Sequence, residues 1–568
     1  MATGFQTVIT TSKTASTPTL CRQLDELQRI SGEYRREQLG EDWFRDVRDF
    51  FSLNTMQATA PSFRPRVLVP ELQMQMLAEA GDVTDNTPVI YITNRDTGRD
   101  KNREQAMRGS WRQGQYNLQL FMAQLWANLG GTGFVMVGFE PWARGGRGEV
   151  WLRVVDPGNC YPDPAANCDD EWEFFGLVER KYLDWVRSRF PEQGYTIQAR
   201  PITRTPATSD TLMGQPFGPM QMSGGGLPET IAGASDGMVA FRRFWVNDTT
   251  VERVKDLAGN SAGRELDIAP AKFHKMFPNG RLVMDADSQH VIYDGDNYVP
   301  HGKFPFIRFM GMPSLEGIWG VPPIRYTRSL QDLAERMYTQ LFENAIRLNN
   351  GWILIPNSTG VDADKFGGLP GEITVYDAQQ GHKPEVVWPK EMPAHMAQLP
   401  QLLLEEQRRL QGHTEARQGN PGAGNVSEDL YEAAVGQASK ITKIRGRFFA
   451  GSVQRVAEQV FYCMARFLRN PLQFPPGEAG SEELSEWKPI DAESLYWDVW
   501  LDEGSIQPMS QQMLRKTAIA LKQAGLYDIE STLEALGIPN AKEISEKVTQ
   551  QLSLEALANV KSPGRKQR

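Results

Sequence analysis

The six histidines of the chain, His274, His290, His301, His382, His395 and His413, are scattered without metal-ligand spacing, and no H-E-x-x-H occurs. A phosphate-gripping G-x-x-x-x-G-K-[ST] is also missing. Its nearest approach, Gly302-Lys303, is followed by Phe304, where a hydroxyl would have to reach Mg²⁺. Gly130, Gly131 and Gly133 cluster as in a nucleotide loop, but they follow a helical pattern and precede a strand. A dinucleotide fingerprint needs the reverse order. No Cys/His pairing offers a nucleophile. Asp163, Asp169, Asp170 and Glu171 could be imagined as a nuclease metal site, yet they sit in a Pro/Asn-rich loop with no basic or histidine neighbour. The expectation is solvated loop charge. No metal and no cofactor is expected, and the chain is not expected to be an enzyme.

The elements around these residues point to a shape. A chain of 568 residues exceeds one hydrophobic core, so several subdomains are expected. Cys21, Cys160, Cys168 and Cys463 form no C-x-x-C pair, so neither a disulfide framework nor a zinc site is encoded, and a reducing cytoplasm is the expected place of synthesis. The N-terminal MATGFQTVITTSK lacks the charged and apolar regions of a signal peptide, and no apolar run approaches the ~20 residues that span a bilayer. No membrane partner is expected. Lys and Arg number 61 against 70 Asp and Glu, a net charge of -9, which does not suit tight gripping of nucleic acid.

Apolar residues at three- and four-residue spacing predict helices over 18–52 and from about Arg103 to Leu129, the second with Met107, Trp111, Tyr116, Leu118 and Met122 on its apolar face. A β-hairpin should follow in GFVMVGFEPWARGGRGEVWLRVVDP. Residues 204–238, rich in Gly, Pro, Ser, Thr and Met, read as a mobile loop or arm. The segments MVAFRRFWV, KMFPNGRLVMDA and HVIYDGDNYVPHG should form a small antiparallel sheet that ends in the strand Phe304 to Met310.

From about Val321 to Leu348 the chain predicts one long amphipathic helix, with Ile324, Leu330, Leu333, Met337, Leu341, Ala345 and Leu348 on one stripe and Pro322-Pro323 suited to its first turn. After it, WILIP, EITVY and EVVW are three short strands in about 40 residues, too few to bury a core alone. Such a module needs partners. Met396 to Gln411 resumes a helix with Pro400 in its first turns. Gly412, Gly419, Gly422 and Gly424 make the next stretch a flexible loop. Ser427, followed by Glu428 and Asp429, caps a helix reaching Leu468, with a break expected near Gly436 or Gly446. Its later half pairs Ile441, Ile444, Phe448 and Val453 with Lys440, Lys443, Arg445, Arg447 and Arg455. SLYWDVWL is a strand, helices follow over 509–524, 528–536 and 541–552, and KSPGRKQR is a basic tail.

Three runs, FPNGR, YVPHGKFPFIRF and IWGVPPIRY, together with this order of long helix, β-rich insert, helix, Gly-rich loop and capped helix, resemble the podovirus-type portal proteins of tailed bacteriophages. Pro322-Pro323 stands where that family often has Ser. The match covers roughly residues 240–540. The resemblance implies an α+β portal fold. Residues 1–318 would be wing, including the 204–238 loop, 319–348 a stem helix, 349–392 the clip, 393–411 the second stem helix and 412–427 the tunnel loop. Residues 428–503 would return to the wing, 504–552 form a helical crown and 553–568 a disordered basic tail. It further implies a homo-oligomeric ring of twelve at one capsid vertex of the virion, assembled in the host cytoplasm. Its partners would be the terminase large subunit, the head-to-tail adaptor, the major capsid protein and scaffold, and double-stranded DNA passing without sequence preference. A minor capsid or scaffold component, and a nucleic-acid-processing enzyme, are the alternatives.

On that footing the charge balance gains a use. DNA presents about one phosphate charge per ~1.7 Å of axis, and a net-negative ring would let it slide. Local relief would come from Arg408, Arg409, His413, Arg417, Asn420 and Asn425 in the second stem helix and tunnel loop. Trp352, Asp362, Asp364, Lys365, Glu372, Lys383 and Glu385 of the clip would dock partners.

Overall fold

A computed structural model describes residues 17–40, 43, 67, 69–84, 87–94, 98–197, 238–247, 251–253, 273–275, 277, 279–297, 299, 303–314, 317–349, 352–354, 385–387, 394–412, 440–468, 472–474, 485–487, 497–501 and a few helical positions between 519 and 548. The architecture is mixed α+β. The chain divides into two compact units, one of Met1–Trp43, Leu77–Pro322 and Lys440–Arg568, the other of Phe44–Met76 and Pro323–Ser439. The 204–237 stretch, the 413–439 stretch and most of the expected crown lie outside the described residues.

In the first unit, helix α1 (Thr17–Leu39) and helix α2 (Glu71–Thr84, counted here from Leu77) precede strands β1 (Ile90–Asn94) and β2 (Gly98–Arg99). The single helix expected over 103–129 is two, α3 (Lys101–Gln113) and α4 (Tyr116–Gly130). Gly114 and Gln115 separate them, with Gln115 in the left-handed region at φ 50. A Cβ at Gly114 would strike the Tyr116 ring. That ring folds back to stack edge-on against Trp111 at 5.3 Å while its hydroxyl donates to the Val150 carbonyl at 2.6 Å. Two polar or small residues therefore break a pattern whose apolar spacing looks continuous. Leu118 and Met122, placed on the apolar face by that pattern, are exposed once the second helix starts afresh.

The predicted hairpin is present as β3 (Thr132–Glu140) and β4 (Glu149–Val155). Its third strand is β12 (Phe306–Met310), which pairs with β3 from Phe306 opposite Met136 to Met310 opposite Thr132. The Phe304–Met310 segment thus closes this sheet, not the one made by the preceding segments. That other sheet has five antiparallel strands in the order β11-β10-β7-β6-β5, where β5 is Cys160–Pro162, β6 Phe174–Tyr182, β7 Met238–Val246, β10 Arg281–Ala286 and β11 His290–Asp296. Two short strands, β8 (Val251–Arg253) and β9 (Phe273–Lys275), pair with each other.

Strand alternation gives β7 two working faces. Phe244 and Val246 meet Leu24 and Leu27 of α1, and on that face the buried Arg242 engages Asp285 and Asp25. On the opposite face Val239 and Phe241 pack with Leu183 and Val186 of helix α5 (Leu183–Arg189), while Trp245 meets Phe306 edge-on at 4.9 Å.

The largest core joins α3, α4, β3, β4 and β12 to helix α8 (Lys440–Phe467), through Phe449, Val453, Val456, Val460, Phe461 and Met464. This helix runs unbroken through Gly446. Ile444 and Phe448, read as part of its apolar stripe, are exposed. SLYWDVWL holds strand β17 (Trp497–Leu501), which pairs with β1 from Ile90 opposite Leu501 to Asn94 opposite Trp497. Strands β15 (Leu472–Phe474) and β16 (Ser485–Trp487) form a two-stranded ladder against α3, and Trp487 is fully buried in the same core.

Candidate functional site

The second unit is built on helices α6 (Ile324–Asn349) and α7 (Ala394–Leu410) and on strands β13 (Trp352–Leu354) and β14 (Glu385–Val387). At ~1.5 Å per residue the 26 residues of α6 make a rod of about 40 Å. The Gln411 side-chain amide donates to Thr327 Oγ1 at 2.7 Å, so the end of α7 lies at the start of α6. At the far end β13, directly after α6, pairs with β14, which precedes α7. The helices are therefore antiparallel.

Their contact seam follows heptad-like spacing. Ile324, Thr327, Gln331 and Ala334 are buried on α6, and Pro400, Leu404, Gln407 and Gln411 on α7. Pro400 lies seven residues into α7, on its buried face. The seam is largely polar. Gln331 donates to the Val69 carbonyl and to Glu335 at 2.9 Å, and the Val69 amide donates to Glu335 at 3.3 Å. Gln407 donates to Gln75 at 3.2 Å, and Gln75 to Glu71 at 3.1 Å. Burial raises the Glu335 carboxyl above its ordinary value, and the hydrogen bonds from Gln331 and Val69 only partly offset this.

Of the stripe expected along α6, Ile324 is buried, Leu330, Met337 and Leu341 are half-buried and Leu333 is 46% exposed. Beside that stripe Phe342 and Ile346 are 52% and 47% exposed. On α7, Leu402 and Leu410 are also exposed. Gln411 links the end of α7 to α6, Gln331 and Gln407 tie each helix to the 69–75 segment, and Leu333, Phe342, Ile346, Leu402 and Leu410 are left exposed.

Of the residues proposed for DNA contact, Arg408 forms an ion pair with Glu71 at 2.7 Å, whereas Arg409 is 78% exposed with Glu406 at 3.7 Å. His413, Arg417, Asn420 and Asn425 lie outside the described residues. Of the clip residues, Trp352 stands opposite Val387 and Glu385 opposite Leu354 in the ladder. Asp362, Asp364, Lys365, Glu372 and Lys383 lie outside the described residues, as does the EITVY strand.

The acidic group in the first unit is only partly solvated loop charge: Asp170 and Glu171 are exposed, whereas Asp163 is buried and Asp169 almost so. Asp169 pairs with Arg308 at 2.9 Å and Arg455 at 2.8 Å, and Asp170 meets Lys303 at 2.9 Å. Asp163 accepts the amides of Ala165 and Glu173, and Glu171 accepts that of Asn167. Burial raises the Asp169 carboxyl despite its arginines, whereas the hydrogen bond from Lys303 lowers that of Asp170. The cations come from β12, the residues just before it and α8, 133 and more residues away in the chain, and are invisible to a local reading. The cluster fastens a loop to a strand and a helix. Among the described residues no group of three or more His, Cys, Asp or Glu could hold a metal ion.

Gly131 and Gly133 also find their reason in packing. Side-chain carbons there would overlap the carbonyls of Gly320 and Ala123 respectively. An open polar cleft beside α1 holds Arg29, Arg35 and Arg242, but each is committed to protein acceptors. Arg29 pairs with Glu26 and Glu33, Arg35 donates to the carbonyls of Pro157, Gly158 and Cys160, and Arg242 holds Asp285. Among the described residues no helix is long and apolar enough to cross a membrane. No protein-family model matches the chain, and no curated protein matches it.

Proposed function

We propose that the chain is a portal-type protein. In this reading it forms a ring at one capsid vertex, through which double-stranded DNA is packaged and ejected, with the terminase large subunit docking first and the tail adaptor later. The observation that carries it is the second unit. An antiparallel pair of helices, one of 26 residues, has polar side chains among its buried residues, carries exposed apolar side chains, and ends, among the described residues, in a two-stranded ladder too small to bury a core. Exposed apolar surface on a long helix is usually covered by another chain. In a ring each neighbour would supply that cover, and the ladder could gain further strands.

Support comes from Pro323–Ser439 holding most of the expected stem, clip and tunnel-loop stretch, although the same unit also takes in Phe44–Met76, which the resemblance put in the wing. Capsid protein and scaffold would meet the first unit, the wing, in the host cytoplasm before the portal becomes part of the virion. The chain would act by shape and charge, without catalysis.

Negative-stain electron microscopy of the purified full chain tests this over a range of salt. Closed, turbine-like rings are expected. Leu333→Asp together with Phe342→Asp should abolish them with the far-ultraviolet circular dichroism unchanged, since both side chains are half-exposed in the single chain. A wild-type chain that forms no rings under any condition would refute the proposal.

A further inference from the structure

From Lys440 to Ala457 the chain carries five cations and no acidic residue, in a protein whose net charge is -9. The structure divides four of them. Arg445 is buried with Glu79, and Arg455 is committed to Asp169 and Asp170. Lys443 and Arg447 are exposed, one helical turn apart, and Ile444 and Phe448 are exposed beside them at the same spacing. Gly451 continues the stripe, with open space where its side chain would be. This face of α8 is thus a small apolar ridge about 6 Å long, flanked by two positive charges and by a notch where another backbone can approach closely.

The exposed face of α7 has the opposite character. Glu405 and Glu406 are exposed, and Leu402 and Leu410 bracket them on the same side, about 12 Å apart along the axis. Arg409 shares the face and leans toward Glu406 at 3.7 Å. An apolar pair about 6 Å long fits between two leucines about 12 Å apart, and the cations of one face then meet the acids of the other.

We infer that the Lys443–Ile444–Arg447–Phe448 stripe of one copy docks on the Leu402–Glu405–Glu406–Leu410 face of the next copy. The inference rests on the ring reading and gives it a direction. Two different surfaces of the same chain make a head-to-tail contact, the kind that propagates from copy to copy and closes when the rotation permits. Opposite charges set which faces meet, and the apolar residues supply the buried contact.

The test uses the full chain and two charge reversals, Lys443→Glu with Arg447→Glu, and Glu405→Lys with Glu406→Lys. Assembly is followed by mass photometry and sedimentation velocity, with thermal melts to confirm that both variants fold. Each variant alone should need at least ~tenfold more protein to assemble, because like charges then face each other. An equimolar mixture of the two should recover assembly to within a few-fold of wild type, since every contact again joins opposite signs between copies. Assembly of either variant at the wild-type concentration would overturn the inference, as would a mixture no better than its components. The first result with loss of DNA retention would reassign the α8 stripe to phosphate contact, and with loss of another protein's binding to that partner. A wild-type chain that stays monomeric would overturn the ring reading itself.

Discussion

Gly131 sits where helix α4 turns into strand β3, at φ +81, with its carbonyl accepting the Gly311 amide at 3.0 Å. Next to it the Gly320 amide donates to Thr132 Oγ1 at 2.8 Å. Changing Gly131 to alanine incurs two separable costs. An L-residue in the left-handed region costs ~1–2 kcal/mol. The new Cβ would also overlap the Gly320 carbonyl oxygen well inside 3.0 Å, and that atom belongs to backbone held on both sides. Overpacking of this kind costs ~1–3 kcal/mol. The sum is about 2–5 kcal/mol, a large share of the ~5–15 kcal/mol that stabilises a typical domain. Gly145 provides the control, at φ +68 with nothing within 4 Å of its would-be Cβ. Gly145→Ala should show the conformational cost alone. Urea titrations followed by circular dichroism should therefore separate the two variants by about 1–3 kcal/mol. If Gly131→Ala is no more destabilising than Gly145→Ala, the close approach of Gly131 to Gly320 is wrong.

Two further outcomes are expected. Burial pushes the Asp156 carboxyl up to about 6, with the Gly158 amide and Arg35 opposing. The folded chain then holds this proton more tightly than the unfolded chain, whose value is ~3.9. The stabilisation is full below about pH 4 and is lost as the pH rises through about 6. Asp156→Asn, which keeps an oxygen to accept the Gly158 amide at 2.8 Å, should raise stability at pH 7 by about 1–2 kcal/mol and leave pH 4 unchanged. An equal effect at both pH values would refute the assignment. Deleting Gly419 to Gly424 should leave ring assembly intact and lower the yield of packaged DNA, and an unchanged yield would remove the loop from any role in DNA handling.

What could be read from the sequence was whatever repeats locally. Apolar spacing located α6, α7 and α8, turn residues located the β3–β4 hairpin, and SLYWDVWL announced β17. The same periodicity found only part of the buried face of α6: Ile324 is buried, but Leu333 is exposed while Thr327 and Gln331 are buried with hydrogen bonds to Gln411 and Val69. Hydrophobicity has no signal for such a seam. Strand β6 was missed because FFGLVERKY begins with a continuous buried run and does not alternate. Asp169 was misread because its partners Arg308 and Arg455 come from distant segments. The exposed faces of α7 and α8 were present as residue types, but only the fold separates the committed Arg445 and Arg455 from the exposed Lys443 and Arg447. For the loop and clip residues, the resemblance carries the proposal.

The first unit is discontinuous, and this has a consequence for how the chain is made. Its main core joins Ile90 and Val135 to Val453 and Leu501, and the strand paired with β1 is synthesised about 400 residues later. At ~5–20 residues per second, the ribosome takes on the order of 20–80 s to supply it. Throughout that interval the edge of β1 and the apolar faces of α3 and α4 wait without their covering helix. The second unit, encoded mostly as one insertion, can fold first. Heat shock or depletion of chaperones should therefore injure newly made chains far more than finished ones.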